Sequence, residues 1–244
     1  YASSAFLMGY LVEWLEPSVI YIVFVISSIL FIINLLILPH STIKNVSTEK
    51  PANPFSLITK YKKFFFFLLG FGFAIAGATS LSTYLINIVK KLGGNSSFYG
   101  IAIFFMAASE TPIMSMAYRL KKKFGAEKLI VFGLLMYIFR NFLIALAPNL
   151  IVLLVGMVFQ GVSYGLLFAT YTYYCNDVLS ESDQMAGQTL ITMMANGFGF
   201  CLGNYLGGVL QDTLGLQSML IFAMVVTLLG AAIGLYTYKC MKED

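Results

Sequence analysis

The feature that most constrains this chain is a series of long segments with almost no charged residues. Seven of these segments reach the ~20 residues that a helix needs to cross the hydrocarbon layer of a bilayer. A shorter apolar segment, residues 1–12, precedes them. The sequence therefore predicts an all-α membrane protein, a polytopic helical bundle. The seven segments are residues 18–38, 64–89, 92–118, 129–148, 150–176, 185–211 and 213–238.

The composition supports the same class. Hydrophobic residues make up 59% of the chain and charged residues only 11%, and the mean hydropathy is +0.84. Soluble domains contain about 25% charged residues. The net charge of +4 comes from lysines between the apolar segments rather than from a basic face. We therefore expect the lipid bilayer, and no nucleic acid, as a partner.

Residues that carry catalysis or hold cofactors are scarce. His40 is the only histidine and has no second candidate ligand nearby, so no metal site is predicted. Cys175, Cys201 and Cys240 are odd in number and lie in or beside apolar segments, which argues against a disulfide framework. The sequence has no phosphate-binding glycine loop and no Ser/His/Asp set. It predicts neither an enzyme nor a cofactor.

The distribution of basic residues predicts the orientation. Lysine and arginine concentrate in residues 39–63, 119–128 and 239–244, whereas Lys90 and Lys91 are the only basic residues at the opposite ends of the apolar segments. Cytoplasmic loops of membrane proteins carry an excess of lysine and arginine. We therefore expect the first of these segments and the C-terminus to be cytoplasmic, in a bacterial inner or plasma membrane.

A short internal repeat predicts two related halves. Gly9–Leu15 and Gly208–Leu214 both match Gly-x-Leu-x-acid-x-Leu, and each ends an apolar helix on the same predicted side. Equivalent positions with equal orientation are typical of transporters built from parallel repeats. Six helices after residue 63 would form one complete half.

The chain is accordingly predicted to have three parts. Residues 1–38 would be the end of an N-terminal bundle, a partial helix 5 and helix 6. Residues 39–63, rich in proline and lysine, would be a cytoplasmic linker. Residues 64–244 would be the C-terminal six-helix bundle, helices 7–12. Because the chain opens inside an apolar run, we expect the rest of an N-terminal half to be a further partner.

Glu110 is the only charged residue in the segment 92–118. A carboxylate near the bilayer centre costs about 2.5–3.5 kcal/mol on insertion scales, and such residues usually mark an ion or substrate path. Pro112 lacks a backbone donor and predicts a broken turn beside it. We expect Glu110 to bind and release the coupling proton. A purely structural contact with a neighbouring helix is the alternative.

Arg140 is the second charge inside an apolar segment. Counting from the helix ends, its depth differs from that of Glu110 by only ~5 Å. Arginine keeps its charge and binds carboxylates through two N–H groups, so Arg140 is predicted to bind substrate, with a structural ion pair as the alternative. Burial and a nearby arginine act in opposite directions on the ionisation of a carboxyl group, which would link proton binding to solute binding.

Polar residues in the other segments complete the candidate substrate site. Gln160 and Tyr164 share a helix face, and Tyr171 is expected further along it. An amide and flat rings with hydroxyls suit a sugar, a base or an aryl ring. Each remaining residue, taken alone, is more typical of an interhelical hydrogen bond, so we predict these only as a set: Tyr84, Asn87, Gln188, Thr192 and Asn196.

A stripe of small residues predicts close helix packing. Ala195, Gly199, Gly203 and Gly207 recur every four residues and therefore lie on one face of a helix. Such a stripe lets two membrane helices approach closely.

Several motifs together resemble the major facilitator superfamily. They are Ala107-Ala108-Ser109-Glu110, the basic turn from Arg119 to Gly125, Arg140, Gln160-Gly161-Val162-Ser163, Gln188, and Gly207-Gly208-Val209-Leu210-Gln211-Asp212-Thr213-Leu214-Gly215. Within the superfamily, the chain is similar to the branch of phenylpropionate permeases, nucleoside–proton symporters and lactose-permease-like oligosaccharide symporters. It would correspond to the end of helix 5 through helix 12.

The resemblance implies a secondary active transporter that works by alternating access. It would carry out proton-coupled symport of a small polar organic solute: a sugar, a nucleoside or an aromatic acid. This branch often has histidine where Gln160 stands, and lactose permease has an acid where Ser163 stands. A uniporter or exchanger without proton coupling therefore stays an alternative, as does a membrane receptor or assembly subunit that does not transport.

Overall fold

The computed structural model describes residues 2–15, 18–37 and 54–243. His40 and most of the predicted linker lie outside these ranges. Within them the chain forms twelve α-helices and two π-helical segments. The helices are α1 Ala2–Leu15, α2 Val19–Ile37, α3 Pro54–Lys60, α4 Lys62–Thr83, α5 Leu85–Lys91, α6 Ser96–Phe124, α7 Ala126–Ala145, α8 Leu150–Val158, α9 Leu166–Val178, α10 Glu181–Thr192, α11 Phe200–Leu214 and α12 Leu216–Glu243; the π segments are Gly161–Gly165 and Met193–Gly199.

The predicted membrane bundle is confirmed. Six helical stretches of the described chain are long and apolar enough to cross a bilayer. The remaining predicted segment is helical from Glu181 to Leu214. It contains Asn196, Asn204 and several glycines, which lower its hydropathy. The six are Val19–Ile37, Lys62–Thr83, Ser96–Phe124, Ala126–Ala145, Leu150–Val178 and Leu216–Lys242.

Two helix boundaries follow local chemistry that the apolar segments do not reveal. The predicted segment 64–89 divides at Tyr84 into α4 and α5. Helix α6 begins after a turn in which Gly93 has φ +80°, a conformation that favours glycine. The side chain of Asn95 then caps α6 by accepting a hydrogen bond from the backbone N–H of Phe98 at 3.0 Å.

The expected break at Pro112 is wrong. Helix α6 continues through this proline from Ser96 to Phe124. Proline removes one backbone donor, and membrane helices tolerate this because neighbouring helices and side chains satisfy the freed group. The irregular backbone lies instead in the two π segments.

Helix α4 is the centre of the bundle, and small residues let α11 and α12 approach it. A Cβ on Gly203 of α11 would lie 2.3 Å from the carbonyl oxygen of Ala76, and one on Gly70 would lie 2.7 Å from that of Gly230 in α12. Only glycine fits at such backbone contacts. The packing role predicted for the stripe of small residues is confirmed.

The interior has two apolar clusters with a polar layer between them. One cluster contains α4 residues up to Ala78 and α7 residues up to Tyr137. The other contains α4 residues from Leu81 and α7 residues from Ile144. The intervening residues of α4, α7, α12 and the α8–α9 junction include most of the bundle's buried polar side chains. They are Thr79, Ser80, Arg140, Asn141, Ser163 and Thr227.

The described end of the predicted linker contains α3, which docks on the bundle. Leu57 is buried in the first apolar cluster. Lys60 Nζ lies 2.5 Å from Asp183 Oδ2, and Tyr61 donates to the same oxygen at 3.0 Å. The hydrogen bond with Asp183 raises the pKa of Lys60, and the same bond lowers the pKa of Asp183.

Helices α1 and α2 differ in how closely they pack against the rest of the chain. Helix α2 has no buried residue. Helix α1 packs on the start of α6, where a Cβ on Gly9 would lie 2.9 Å from Gly100 Cα. The Glu13 carboxylate accepts hydrogen bonds from the Ser97 N–H at 3.1 Å, from the Asn95 amide at 2.7 Å and from the Ser97 hydroxyl. A carboxylate is favourable at this position because a helix N-terminus carries partial positive charge.

Candidate functional site

A cavity of about 380 Å³ opens beside the polar layer. Its walls come from α4, α6, α7, the junction of α8 with α9, and α11. Among the described residues, the polar groups of the wall are hydroxyls, the Gln160 amide and one carboxylate, that of Glu110. The lining residues are Ile75, Ala78, Thr79, Ser82, Thr83, Tyr99, Ile103, Met106, Glu110, Tyr137, Gln160, Tyr164 and Phe200.

Glu110 is half-buried on the cavity wall and is held by one amide. Gln160 Nε2 donates to Glu110 Oε1 at 3.0 Å. The other end of that amide, Gln160 Oε1, is buried and has no hydrogen-bond partner in the described chain. A buried acceptor without a partner is costly, so a change in the Gln160 side chain that gave this oxygen a donor would be favourable.

The π segment Gly161–Gly165 brings Gln160 onto Glu110. Gly161 N donates to Ser109 Oγ at 3.0 Å. A Cβ on Gly161 would lie 2.2 Å from the Ser109 carbonyl oxygen, and one on Gly165 would lie 3.4 Å from Glu110 Cα. Two glycines therefore allow this segment to rest directly on the backbone of α6. Single-turn π bulges of this kind are frequent at functional sites.

Arg140 lies behind the cavity wall rather than on it. Its side chain is fully buried, with an exposed fraction of 0%. Nη1 donates to Asn141 Oδ1 at 2.8 Å, and Nη2 donates to Ser82 Oγ at 3.3 Å. Among the residues described, it forms no ion pair with Glu110. Nε is buried without a partner.

The hydrogen bonds of Arg140 continue across the bundle. Asn141 Nδ2 donates to Thr227 Oγ1 of α12 at 2.7 Å, and Thr227 donates in turn to the Ala223 carbonyl. Ser82, at the other end, faces the cavity from α4. One polar chain therefore links α4, α7 and α12 at mid-bundle.

The other predicted site residues lie away from the cavity. The Tyr84 hydroxyl donates to the Asn204 carbonyl at 3.1 Å, and Asn87 is half-buried on α5. Gln188 donates to the Thr172 carbonyl at 3.1 Å, which joins α10 to α9. Thr192 and Asn196 are exposed on the α10–α11 element. Of the nine predicted residues, the structure brings Glu110, Gln160 and Tyr164 together on the wall, with Arg140 one hydrogen bond behind Ser82.

Several wall residues were not predicted from the sequence. Thr79, Ser82 and Thr83 supply hydroxyls from α4, and Tyr99 and Tyr137 supply rings from α6 and α7. Tyr137 lies three residues before Arg140, so a helical projection around Arg140 identifies it. The cluster of small hydroxylated residues before Tyr84 is a further signal, since such residues are unusual in an apolar run.

No metal centre is indicated in this part of the chain. The described residues contain no group of three His, Cys, Asp or Glu side chains that could hold an ion. The wall instead offers one carboxylate, one amide, hydroxyls and rings. This set can hydrogen-bond a neutral solute and stack on a flat one.

Comparison with known proteins identifies the family. The model of the MFS_1 like family matches residues 1–222. The chain belongs to this family. It is thus an integral membrane protein of the major facilitator superfamily, whose members are transporters rather than enzymes. The resemblance expected from the sequence motifs is confirmed.

Individual relatives agree with this membership. Over 158 residues the chain is 28% identical to the maltose permease of Geobacillus stearothermophilus, covering 65% of this chain and 40% of the permease. It is 32% identical over 96 residues to the putative nucleoside transporter YegT of Escherichia coli, covering 37% and 23%. It is 28% identical over 152 residues to the quinolone resistance protein NorA of Staphylococcus aureus, covering 62% and 37%. The aligned region spans less than half the length of each relative.

A solved structure shares the fold. The nucleoside transporter NupG, as its D323A mutant, superposes with a TM-score of 0.65 at 17% identity. The match covers 86% of this chain and 57% of NupG. At this level of identity the likeness concerns the arrangement of helices alone.

Proposed function

We propose that the full-length protein is a secondary active transporter that moves a small polar solute together with a proton. The observation that carries this proposal is Glu110, a half-buried carboxylate on the wall of a mid-bundle cavity. Its single amide partner, Gln160, can bond either the charged or the neutral form of the carboxyl group. A group that binds and releases a proton needs this tolerance.

The wall favours a neutral polyhydroxylated solute over an aromatic acid. Glu110 would repel an anion, and Arg140 is turned away to Asn141 and Ser82. The hydroxyls of α4, the Gln160 side chain and the ring of Tyr164 line the cavity and suit a sugar or a nucleoside. The names of two relatives, a maltose permease and a putative nucleoside transporter, agree with this class.

Alternating access would require a second bundle, which we expect from an N-terminal half. In this proposal α1 belongs to that half, and its contact with α6 at Gly9 and Gly100 is an interface between halves. The contact would open when the cavity faces the other side. The linker and the C-terminal tail would lie on the cytoplasmic side, as the lysine distribution predicts, and we propose a bacterial inner or plasma membrane as the location.

The decisive experiment uses Glu110→Gln in the full-length protein reconstituted into vesicles. Glutamine keeps the shape and the hydrogen bond to Gln160 but cannot carry a proton. We expect loss of uptake driven by a pH gradient, while exchange at equal pH on both sides persists. Asp212→Asn is the matched control, since Asp212 is an exposed acid at the end of α11. A Gln variant that still concentrates solute against its gradient contradicts the proposal.

Facilitated transport without a proton is the second candidate. It is favoured by Gln160, because the amide next to Glu110 cannot titrate. The two candidates differ in one measurement, proton uptake by the vesicles on addition of solute. Solute flux with no proton movement at any pH supports the uniporter, and absence of any flux would support a non-transporting membrane protein.

A further inference from the structure

A second, apolar groove lies on the outer surface of the bundle, away from the transport cavity. It has a volume of about 400 Å³ and lies where the end of α6 meets the start of α7 and the side of α9. Phe124 and Phe132 are exposed at its edges. The proposed transport route does not use it. Its lining residues are Leu120, Phe124, Lys128, Leu129, Phe132 and Leu166.

The groove continues into a stripe on α7. Lys128, Phe132, Leu135 and Phe139 are all exposed and are spaced by four, three and four residues, so they share one helix face. An exposed apolar stripe on a membrane helix faces lipid. A hydrocarbon chain placed in the groove would therefore extend along α7 into the bilayer.

Basic residues lie near one end of the groove, and Lys128 is on its wall. The last two turns of α6 carry Arg119, Lys121, Lys122 and Lys123, and Lys128 of α7 is the basic residue that lines the groove. Lys121 is neutralised by Asp177 at 2.6 Å, and Lys123 lies 5.2 Å from the centre of the Phe124 ring. In the described part of the chain, the other three basic side chains form no ion pair.

Acidic residues near the turn do not cancel this charge. Asp177 is engaged by Lys121. Glu127, in the first turn of α7, is half-buried and does not line the groove, whereas Lys128 does. The groove thus pairs an apolar floor with one unpaired cation, Lys128, on its wall, which is complementary to an amphiphile with an anionic head.

We propose that this groove binds one anionic phospholipid of the adjoining leaflet. Lys128 would hold the phosphate, and Phe124 and Phe132 would flank an acyl chain. Basic pockets between membrane helices bind anionic head groups in this manner, and each lysine near the surface contributes attraction. The site is separate from Glu110 and does not depend on the proposed transport activity.

The test compares lipids on the purified full-length protein. Phosphatidylglycerol and phosphatidylcholine with identical chains are titrated, and bound lipid is counted by native mass spectrometry. We expect one phosphatidylglycerol to be retained in preference to phosphatidylcholine. Lys128→Gln should weaken its binding about fivefold. Lys90→Gln is the matched control, an exposed lysine on α5 at the other end of the bundle, and should leave the binding unchanged.

Two further arms separate the groove from a simple anion site. Phe132→Ala should weaken phosphatidylglycerol without any change in the binding of glycerol phosphate, the head-group chemistry alone. Equal retention of the two lipids overturns the proposal, as do equal losses in Lys128→Gln and Lys90→Gln. If glycerol phosphate alone competes as strongly as the intact lipid, the groove is not the binding site.

Discussion

Two groups of polar side chains cross the middle of the bundle, and they differ in what surrounds them. The pair Glu110–Gln160 lies on the cavity wall, where the carboxylate has one amide partner and partial access to the cavity. The chain Ser82–Arg140–Asn141–Thr227 links three helices, and its last three members are fully buried. Both contain a charged residue inside the membrane segments, yet only the first is open to a ligand.

This difference in burial suggests different roles for the two groups: the Glu110–Gln160 pair for function, and the Arg140 chain for the stability of the bundle. A buried guanidinium with neutral partners is expensive to move, because its hydrogen bonds would have to be replaced all at once. A half-buried carboxylate with one flexible partner can change its protonation and its contacts at little cost. We infer that the bundle is held at mid-height by the arginine chain while the acid remains free to act.

The largest effect on stability is expected from Arg140→Ala. This change leaves a cavity and removes hydrogen bonds from Asn141 and Ser82, for a loss of about 2–5 kcal/mol. Thermal unfolding of the full-length protein in detergent, without solute, measures it. Arg119→Ala, at an exposed arginine of α6, is the control. Equal unfolding midpoints for the two variants would remove the distinction between the two polar groups.

The second-largest loss of stability is expected from Gly161→Ala, because this change disturbs the segment that holds Gln160 against Glu110. The new methyl group would meet the Ser109 carbonyl oxygen, and overpacking of this kind costs about 1–3 kcal/mol. Gly197→Ala is a close control, since Gly197 lies in the other π segment with nothing within 4 Å of an added Cβ. We expect Gly161→Ala alone to lower both the unfolding midpoint and solute binding. Identical behaviour of the two alanine variants would contradict the close contact.

Thr227→Val tests the far end of the arginine chain. Valine keeps the volume but leaves the Asn141 amide without its acceptor, for a loss of about 1 kcal/mol. Thr237→Val on the same helix is the control, because Thr237 donates only to the carbonyl of its own helix at Ile233. Solute affinity should be the same in both. A change in affinity for Thr227→Val would mean that the buried chain takes part in binding.

Glu110→Gln should change stability less than Arg140→Ala, Gly161→Ala or Thr227→Val. The amide oxygen can still accept from Gln160, so we expect a shift within about 0.5 kcal/mol, in contrast to the loss of proton-driven uptake proposed above. Thermal unfolding and transport are measured on the same preparation. Destabilisation equal to that of Arg140→Ala would assign Glu110 a structural role.

The smallest effect on stability is expected from loss of the contact between Lys60 and Asp183, which lies outside the membrane segments. Asp183 has its pKa below the usual 3.8, so its contribution is complete above that value and is lost only as the pH falls through the lower pKa. Lys60 has its pKa above the usual 10.5, so its contribution is lost only at still higher pH. Asp183→Asn should therefore lower the unfolding midpoint slightly and equally from about pH 5 to 9. A loss confined to one end of that range would contradict this.

The family and the helices could be predicted from the sequence because both depend on local patterns. Apolar segments long enough to cross a bilayer have few alternatives to a helix, and the stripe from Ala195 to Gly207 packs as its spacing requires. The lone charges Glu110 and Arg140 likewise stand out without any knowledge of their surroundings. The division into two halves and the orientation stay predictions.

The position of each side chain relative to the cavity needed the tertiary structure. Tyr171 was expected on the face of Gln160 and Tyr164, but it is buried and donates to the Phe67 carbonyl at 2.7 Å. The π segment between them inserts extra backbone, so the 3.6-residue period no longer relates positions on its two sides. The spacing of residues in the sequence does not reveal this change of helix face.

The sequence by itself determined that this chain is a helical membrane bundle with an acid and an arginine inside it. Only the tertiary structure decided that the acid faces a cavity and that the arginine does not. The physical reason is that charge is a property of one residue, whereas access depends on what packs around it. For Glu110 that is the close contact of Gly161 with α6, and for Arg140 it is the amide and hydroxyl groups of α4, α7 and α12.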